Sequence, residues 1–239
     1  MRPFGRAVED LEFDFASDDR PALVTAVLSA CAEPHAADDW WHRTVSERTL
    51  ALLTLLRESE GGEFVALTLR CEAAGCGERF EIELPHAAVA MPAPPPAPIE
   101  VARDDGGSLT LRRPTGDDLR AWRALRPATR EQALAVMLDR LRVAGQPRPG
   151  DADRAAAALA EADQLVAFTV RCACPACGHD AERDVDLEGL VLFRLAARQR
   201  QLLRDVHALA SHYGWTEGEV LAVPPARRAR YLELIEAAG

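Results

Sequence analysis

The sequence predicts an α+β fold organised around a split ribbon, and three observations carry that prediction. The first is an internal repeat: V-A-L-T-L-R-C-x4-C-G from Val65 and V-A-F-T-V-R-C-x4-C-G from Val166 match almost residue for residue. Each copy reads as an apolar strand, a cysteine turn and a second strand, Phe80 to Leu84 in the first copy and Ala181 to Leu187 in the second. The second observation is Cys174-Pro-Ala-Cys177-Gly178, a knuckle that sets two thiolates on a tight turn and supplies half of a tetrahedral zinc site. The third is that the rest of the chain shows capped, helix-period patterns. The expected architecture is a split zinc ribbon of two cysteine-knuckle hairpins, with an inserted α/β segment, flanking helices and a C-terminal helical hairpin.

On this reading residues 1–62 form an N-terminal arm and helices, and 63–90 the first half of the ribbon. A Pro-rich spacer and an inserted hairpin with helices fill 91–163, the second half-ribbon spans 164–187, and 188–239 is a helical C-terminal region.

Leu11, Phe13 and Phe15 alternate as an edge strand. Pro21 opens a helix through Leu23, Val24, Val27, Leu28 and Cys31 that stops before Pro34. Trp40 and Trp41 follow in a short loop and read as core. Thr44 with Glu47 makes a capping box for a helix through Leu50 to Leu56, ended by Gly61-Gly62. After the first half-ribbon, 92–98 is a polyproline II spacer. Ile99–Val101 and Leu109–Leu111 read as a hairpin about Asp104-Asp105-Gly106-Gly107. Thr115 or Asp117 starts a helix with Leu119, Trp122 and Leu125, Thr129 with Gln132 caps one over Leu134 to Val143, and Asp151 to Ala162 is an alanine-rich helix.

The C-terminal region carries one seam. Leu192, Leu195, Gln199, Leu202, Val206, Leu209 and Tyr213 recur at spacings of three and four, with Gln199 its single polar member. Gly214 ends that helix, Thr216 with Glu219 starts a short one, and Pro224-Pro225 restarts a last one. In this last helix Tyr231, Leu232 and Ile235 face inward, and Arg227, Arg228 and Arg230 outward.

Of the six cysteines, Cys31 falls in a helix and reads as a small buried apolar residue. Five then remain for four ligand positions. Repeat symmetry pairs Cys172 with Cys71, whereas knuckle geometry favours Cys174 with Cys177. The expected ligands are Cys71, Cys76, Cys174 and Cys177, with Cys172 as the alternate. Four thiolates around Zn²⁺ leave two negative charges, which Arg70 and Arg171, one residue before the first cysteine of each copy, stand to offset. Such a site is closed and structural. His179 is the neighbour able to displace a cysteine. A thiol redox role for Cys174 and Cys177 expects a βαβ context with a helix starting at the first cysteine, and a strand pattern follows instead.

Hydrophobic content of 48% and charged content of 28% exclude wholesale disorder. The net charge of −10, carried without a single lysine, argues against a nucleic-acid partner, because neutralising phosphates needs a positive surplus. Residues 1–19 lack an apolar run and no stretch reaches bilayer length, so neither a signal peptide nor a membrane partner is expected. Cytoplasmic localisation is the expectation, and it fits metal rather than disulfides.

Leu202 to Leu232 resembles the tail of the T-even-type phage baseplate hub assembly chaperone family, found in loci for contractile tails and extracellular contractile injection systems. The family pattern V-H-x-L-A-x-x-Y-x-W-x-E-x-E-I-L, followed by R-R-x-x-Y-L, is matched by Val206-His207, Leu209-Ala210, Tyr213, Trp215, Glu217, Glu219, Leu221, Arg227-Arg228 and Tyr231-Leu232. Val220 stands where isoleucine is usual, and Pro224-Pro225 is a small departure. The resemblance extends to Cys174–His179, to Cys76–Leu84 and, more weakly, to Leu111–Leu119, about half the chain. It implies a non-enzymatic zinc-containing protein, an assembly chaperone or component of a phage-tail-like baseplate, whose partners are baseplate, hub or spike proteins. Tyr213, Trp215, Arg227, Arg228 and Tyr231 are the candidate partner-binding residues, being of the types that dominate interfaces, while Tyr213 and Trp215 read equally well as a lock on the helix-turn-helix corner. A zinc-ribbon adaptor for nucleic acid or an enzyme, and a thiol redox protein, are the alternatives. The chain lacks G-x-S-x-G, phosphate-loop and H-E-x-x-H motifs, so catalysis is not expected.

Overall fold

Side-chain caps fix the starts of five of the described helices, among them Arg20–Cys31, where Asp19 Oδ1 accepts from the Ala22 amide at 3.1 Å. In the computed structural model, which describes residues 1–32, 40–89, 97–125 and 129–238, the Thr44 amide donates to Glu47 Oε2 at 2.8 Å and the Glu47 amide to Thr44 Oγ1 at 3.3 Å. Thr115 with Asp118 and Thr216 with Glu219 form the same reciprocal box, and Thr129 Oγ1 accepts from the Gln132 amide. Each box satisfies amides that the first helical turn leaves without partners.

A 3₁₀ turn, Val8–Leu11, is followed by α1 (Arg20–Cys31), α2 (Val45–Glu60), β1 (Phe64–Arg70), β2 (Arg79–Pro85) and α3 (His86–Val89). Next come β3 (Ile99–Ala102), β4 (Ser108–Leu111), α4 (Gly116–Arg123), α5 (Arg130–Leu141), β5 (Arg142–Ala144) and α6 (Asp151–Ala162). The chain ends with β6 (Thr169–Ala173), β7 (Asp180–Asp184), α7 (Leu187–Tyr213), α8 (Glu217–Ala222) and α9 (Pro225–Ala238). Of the expected Pro-rich spacer, 92–96 lie outside the described residues. No helix among the described residues is long and apolar enough to cross a membrane.

The elements group into two compact units, Met1–Asp38 with Leu52–Gly62 and Glu188–Gly239, and Asp39–Ala51 with Glu63–Leu187. In the first unit the α7 seam is buried from Leu195 to Leu209, where Leu202, Val206 and Leu209 pack with Val220 and Leu221 of α8 and with Tyr231, Leu232 and Ile235 of α9, but its last member, Tyr213, is exposed. Cys31 is fully buried in α1. The edge strand expected over Leu11 to Phe15 does not form. Instead Phe13 and Phe15 gather on Phe4, with ring centroids 6.0 to 6.3 Å apart. The unpaired backbone finds other partners: Gln199 Nε2 donates to the carbonyls of Asp10 and Phe13 at 3.1 and 2.9 Å, which explains the polar residue in the seam. Asp10, itself fully buried, accepts from Arg2 at 2.6 and 2.8 Å and from the Gly5 amide at 2.7 Å. A second correction concerns α9, where Arg227 and Arg230 are exposed but Arg228 is buried.

The second unit holds three antiparallel sheets: β1-β2, β3-β4-β5 and β6-β7. Val101, Leu109, Leu111, Leu138, Leu141 and Ala155 build a core for the inserted segment, joined by Trp122 and Leu159. The helix expected to reach Val143 stops at Leu141, because residues 142–144 pair with β4 (Leu111 with Arg142, Thr110 with Ala144). Backbone pairing on the edge of β4 outweighs two more helical residues there. Trp41 is half-buried beneath two guanidiniums, Arg120 at 4.5 Å and Arg48 at 5.4 Å from the ring centroid.

Candidate metal centre

Each hairpin ends in a cysteine. Arg70 opposite Arg79 is the last pair of β1-β2, and Ala173 opposite Asp180 is the last of β6-β7. The next residues are Cys71 and Cys174, whose amides close the turns by donating to the Glu78 carbonyl at 2.7 Å and the His179 carbonyl at 2.9 Å. Cys76 and Cys177 stand two residues before those acceptors. Each is followed by a glycine with positive φ, Gly77 at 66° and Gly178 at 71°, a conformation that side chains with a Cβ resist.

By strand register, then, Cys71 corresponds to Cys174 and Cys76 to Cys177. The sequence match, which pairs Cys71 with Cys172, is offset by two residues, because β6 carries Cys172 inside the strand, opposite Ala181. Side chains repeat every second residue, so Cys172 shares a strand face with Cys174 but sits about 7 Å back along it.

All four sulfurs of Cys71, Cys76, Cys174 and Cys177 lie within 4.8 Å of one another. Cys71 Sγ is 3.6 Å from Cys177 Sγ, and Cys76 Sγ is 3.8 Å from Cys174 Sγ. A tetrahedron with metal–sulfur bonds of about 2.3 Å has edges of about 3.8 Å, so the cluster fits a metal ion. Cys71 and Cys174 are buried, Cys76 is half-buried and Cys177 is exposed. Cys172 lies outside the group and packs half-buried against the cluster formed by Cys71, Phe80 and Cys174. His179 is also outside it.

The thiols perturb one another. The Ala73 amide favours the Cys71 thiolate, but burial and the three other thiols outweigh it and push the group up to about 12. Cys76 is also raised: burial and the Cys177 thiol overcome the Glu78 amide. Burial works to raise Cys174, yet the amides of Cys177 and Ala176 and the adjoining thiols bring it down to about 7. One thiolate is thus favoured at the cost of its neighbours, and a cation is what lets all four ionise together.

The arginines divide differently from expectation. Arg70 Nε donates to the Gly77 carbonyl at 3.3 Å, beside the first turn. Arg171 pairs with Asp180 at 2.9 Å on an exposed edge. The buried cation is Arg183 of β7: its Nη1 donates to the carbonyl of Arg70 at 3.1 Å, one residue before Cys71, and lies 3.8 Å from Glu72 Oε1. It joins the second hairpin to the first, one residue before Cys71. Strand alternation was the available signal, since Arg183 shares the face of Ala181 and Val185, which turns inward.

The candidate partner-binding residues belong to the other unit. Tyr213 stacks on Trp215 with centroids 4.9 Å apart, and Tyr231 meets both rings edge-on at 5.8 and 5.3 Å. Tyr213 is 37% exposed, Arg227 is exposed and Arg228 is buried. Compared with known protein families, curated proteins and solved structures, the chain gives no match.

Proposed function

We propose that the chain is a non-enzymatic protein with one structural zinc, acting as an assembly chaperone or component of the baseplate of a phage-tail-like contractile injection system. The convergence of four cysteine sulfurs from two hairpins carries the zinc part of this reading. Thiolate-only ligation suits zinc, and four protein ligands leave no position for a reacting water. Zinc then ties together two hairpins separated by the inserted segment.

The baseplate part rests on the tail pattern from Val206 to Leu232. The half-exposed Tyr213, Trp215 and Tyr231 cluster beside exposed Arg227 supports it as a docking surface for baseplate, hub or spike proteins. The test is co-purification from cells that make the contractile particle. Arg227→Glu with Tyr213→Ala should cut recovery of baseplate proteins about ten-fold while leaving zinc content unchanged. Recovery of no baseplate protein by the parent chain, or equal recovery by the variant, sinks the proposal.

A further inference from the structure

Cys177 is the exposed corner of the four-sulfur cluster. Residues 175–180 are all exposed, and a Cβ added at Gly178 would meet no atom within 4 Å, so the turn that carries Cys177 faces solvent. The turn of the first hairpin is open as well: a hollow of about 630 Å³ is lined by Cys71, Glu72, Cys76 and Gly77. Four sulfurs that leave no room for water on a metal are thus themselves within reach of a small solute.

The closest sulfur contacts run between the hairpins rather than within them. Cys71 Sγ meets Cys177 Sγ at 3.6 Å, and Cys76 Sγ meets Cys174 Sγ at 3.8 Å. Cys172 lies outside the cluster, about 7 Å back along β6 from Cys174. Cys31 is fully buried in α1. Of the six cysteines, Cys177 is the one that joins an exposed side chain to a second sulfur in contact.

We propose that Cys177 is a site of oxidation by peroxide and that Cys71 resolves it, forming a disulfide between the two hairpins that releases the metal. The release rests on the zinc reading, whereas the pairing rests on the sulfur geometry alone. Cysteines that bind a metal do so as thiolates, the nucleophilic form. The Cys177 thiolate attacks one peroxide oxygen: an S–O bond forms, the O–O bond breaks, and hydroxide leaves, giving a sulfenic acid. The Cys71 thiolate then attacks that sulfur, so that the S–S bond forms and the S–O bond breaks with loss of a second hydroxide. Two thiolates are oxidised to one disulfide, and one peroxide is reduced to two hydroxides, which bulk water protonates. Two of the four ligands are then gone, and Cys76 with Cys174 cannot hold zinc against a chelator. The Cys71–Cys177 bond takes over as the link, so the oxidised chain frees its zinc without parting its hairpins.

The experiment treats the full-length protein, reduced and supplied with zinc, with hydrogen peroxide beside a colorimetric zinc chelator. Disulfides are mapped by mass spectrometry after free thiols are alkylated. About one zinc per chain should be released as Cys71–Cys177 forms, with Cys172 and Cys31 still free thiols, and a dithiol reductant should restore zinc binding. Cys172→Ser, which leaves all four ligands in place, should release zinc at the parent's rate and give the same disulfide. A first disulfide within one turn, Cys174–Cys177 or Cys71–Cys76, overturns the proposal, and so does one that includes Cys172. Sulfinic acid at Cys177 beside a free Cys71 thiol overturns it too, as do four thiols that peroxide leaves intact, or zinc that stays bound once the disulfide has formed. The zinc reading fails separately: protein that takes up no zinc but forms Cys71–Cys177 under the same treatment keeps the pairing and loses the metal.

Discussion

Cys71 Sγ and Cys177 Sγ stand 3.6 Å apart, each contributed by a different hairpin. Register, rather than sequence matching, sets this pairing, and it separates the roles of Cys177 and Cys172. Cys177→Ser should abolish tight zinc binding, whereas Cys172→Ser should retain it, because Cys172 sits one pleat behind Cys174 and contributes only packing. Zinc content after dialysis against a competing chelator checks this. Equal loss in both variants would mean that the ligand set follows the sequence repeat.

Arg183 predicts a second asymmetry. Arg183→Leu removes the buried link between the second hairpin and the Arg70 carbonyl next to Cys71, so zinc affinity should fall by about ten-fold to a hundred-fold. Arg171→Leu, at an exposed pair with Asp180, should leave affinity unchanged. Competition with a fluorescent chelator measures both, and equal effects would remove Arg183 from the site.

Asp118 contributes to the acid response of the second unit. It is fully buried, and burial alone would raise it. Arg112, at 2.5 and 2.8 Å, and the Thr115 amide, at 2.8 Å, instead hold it down to about 2. A depressed carboxylate adds stability that is present above the ordinary range near 4 and is lost as pH falls toward 2. Asp118→Asn should therefore cost about 3 kcal/mol near neutral pH, with the deficit shrinking between about pH 4 and pH 2. Urea unfolding at both ends of that window tests the sign, and a pH-independent deficit contradicts it.

Gln199→Leu should destabilise the first unit by about 2 kcal/mol despite adding an apolar residue to an apolar seam, because it strands the Asp10 and Phe13 carbonyls. A melting temperature at or above that of the parent would show that the arm does not depend on Gln199.

Local chemistry made much of the fold legible. The capping boxes, the limits of α6 and the β3-β4 hairpin follow from side chains within a few residues of where they act. Long-range pairing was not legible. β5 exists because β4 offers an edge, and Phe13 and Phe15 cluster on Phe4 where no strand among the described residues pairs with them. Arg183 and Arg228 fall on inward faces by simple periodicity. Their charge pointed outward, and the neighbours that override it come from distant parts of the chain. The two units are each discontinuous, with α2 divided between them at Ala51 and Leu52, a division that no local composition marks. At the metal centre the four cysteines were legible from knuckle spacing, whereas the two-residue offset between the hairpins emerged only from strand register.

The most direct test of the proposed zinc site is metal analysis and cobalt substitution of protein purified without added metal. About one zinc per chain is expected, and the cobalt form should show strong thiolate charge-transfer with tetrahedral bands, since four sulfurs fill the coordination shell. A folded sample with a zinc ratio near zero, or a five-coordinate cobalt spectrum that responds to added anions, would contradict a closed four-cysteine site.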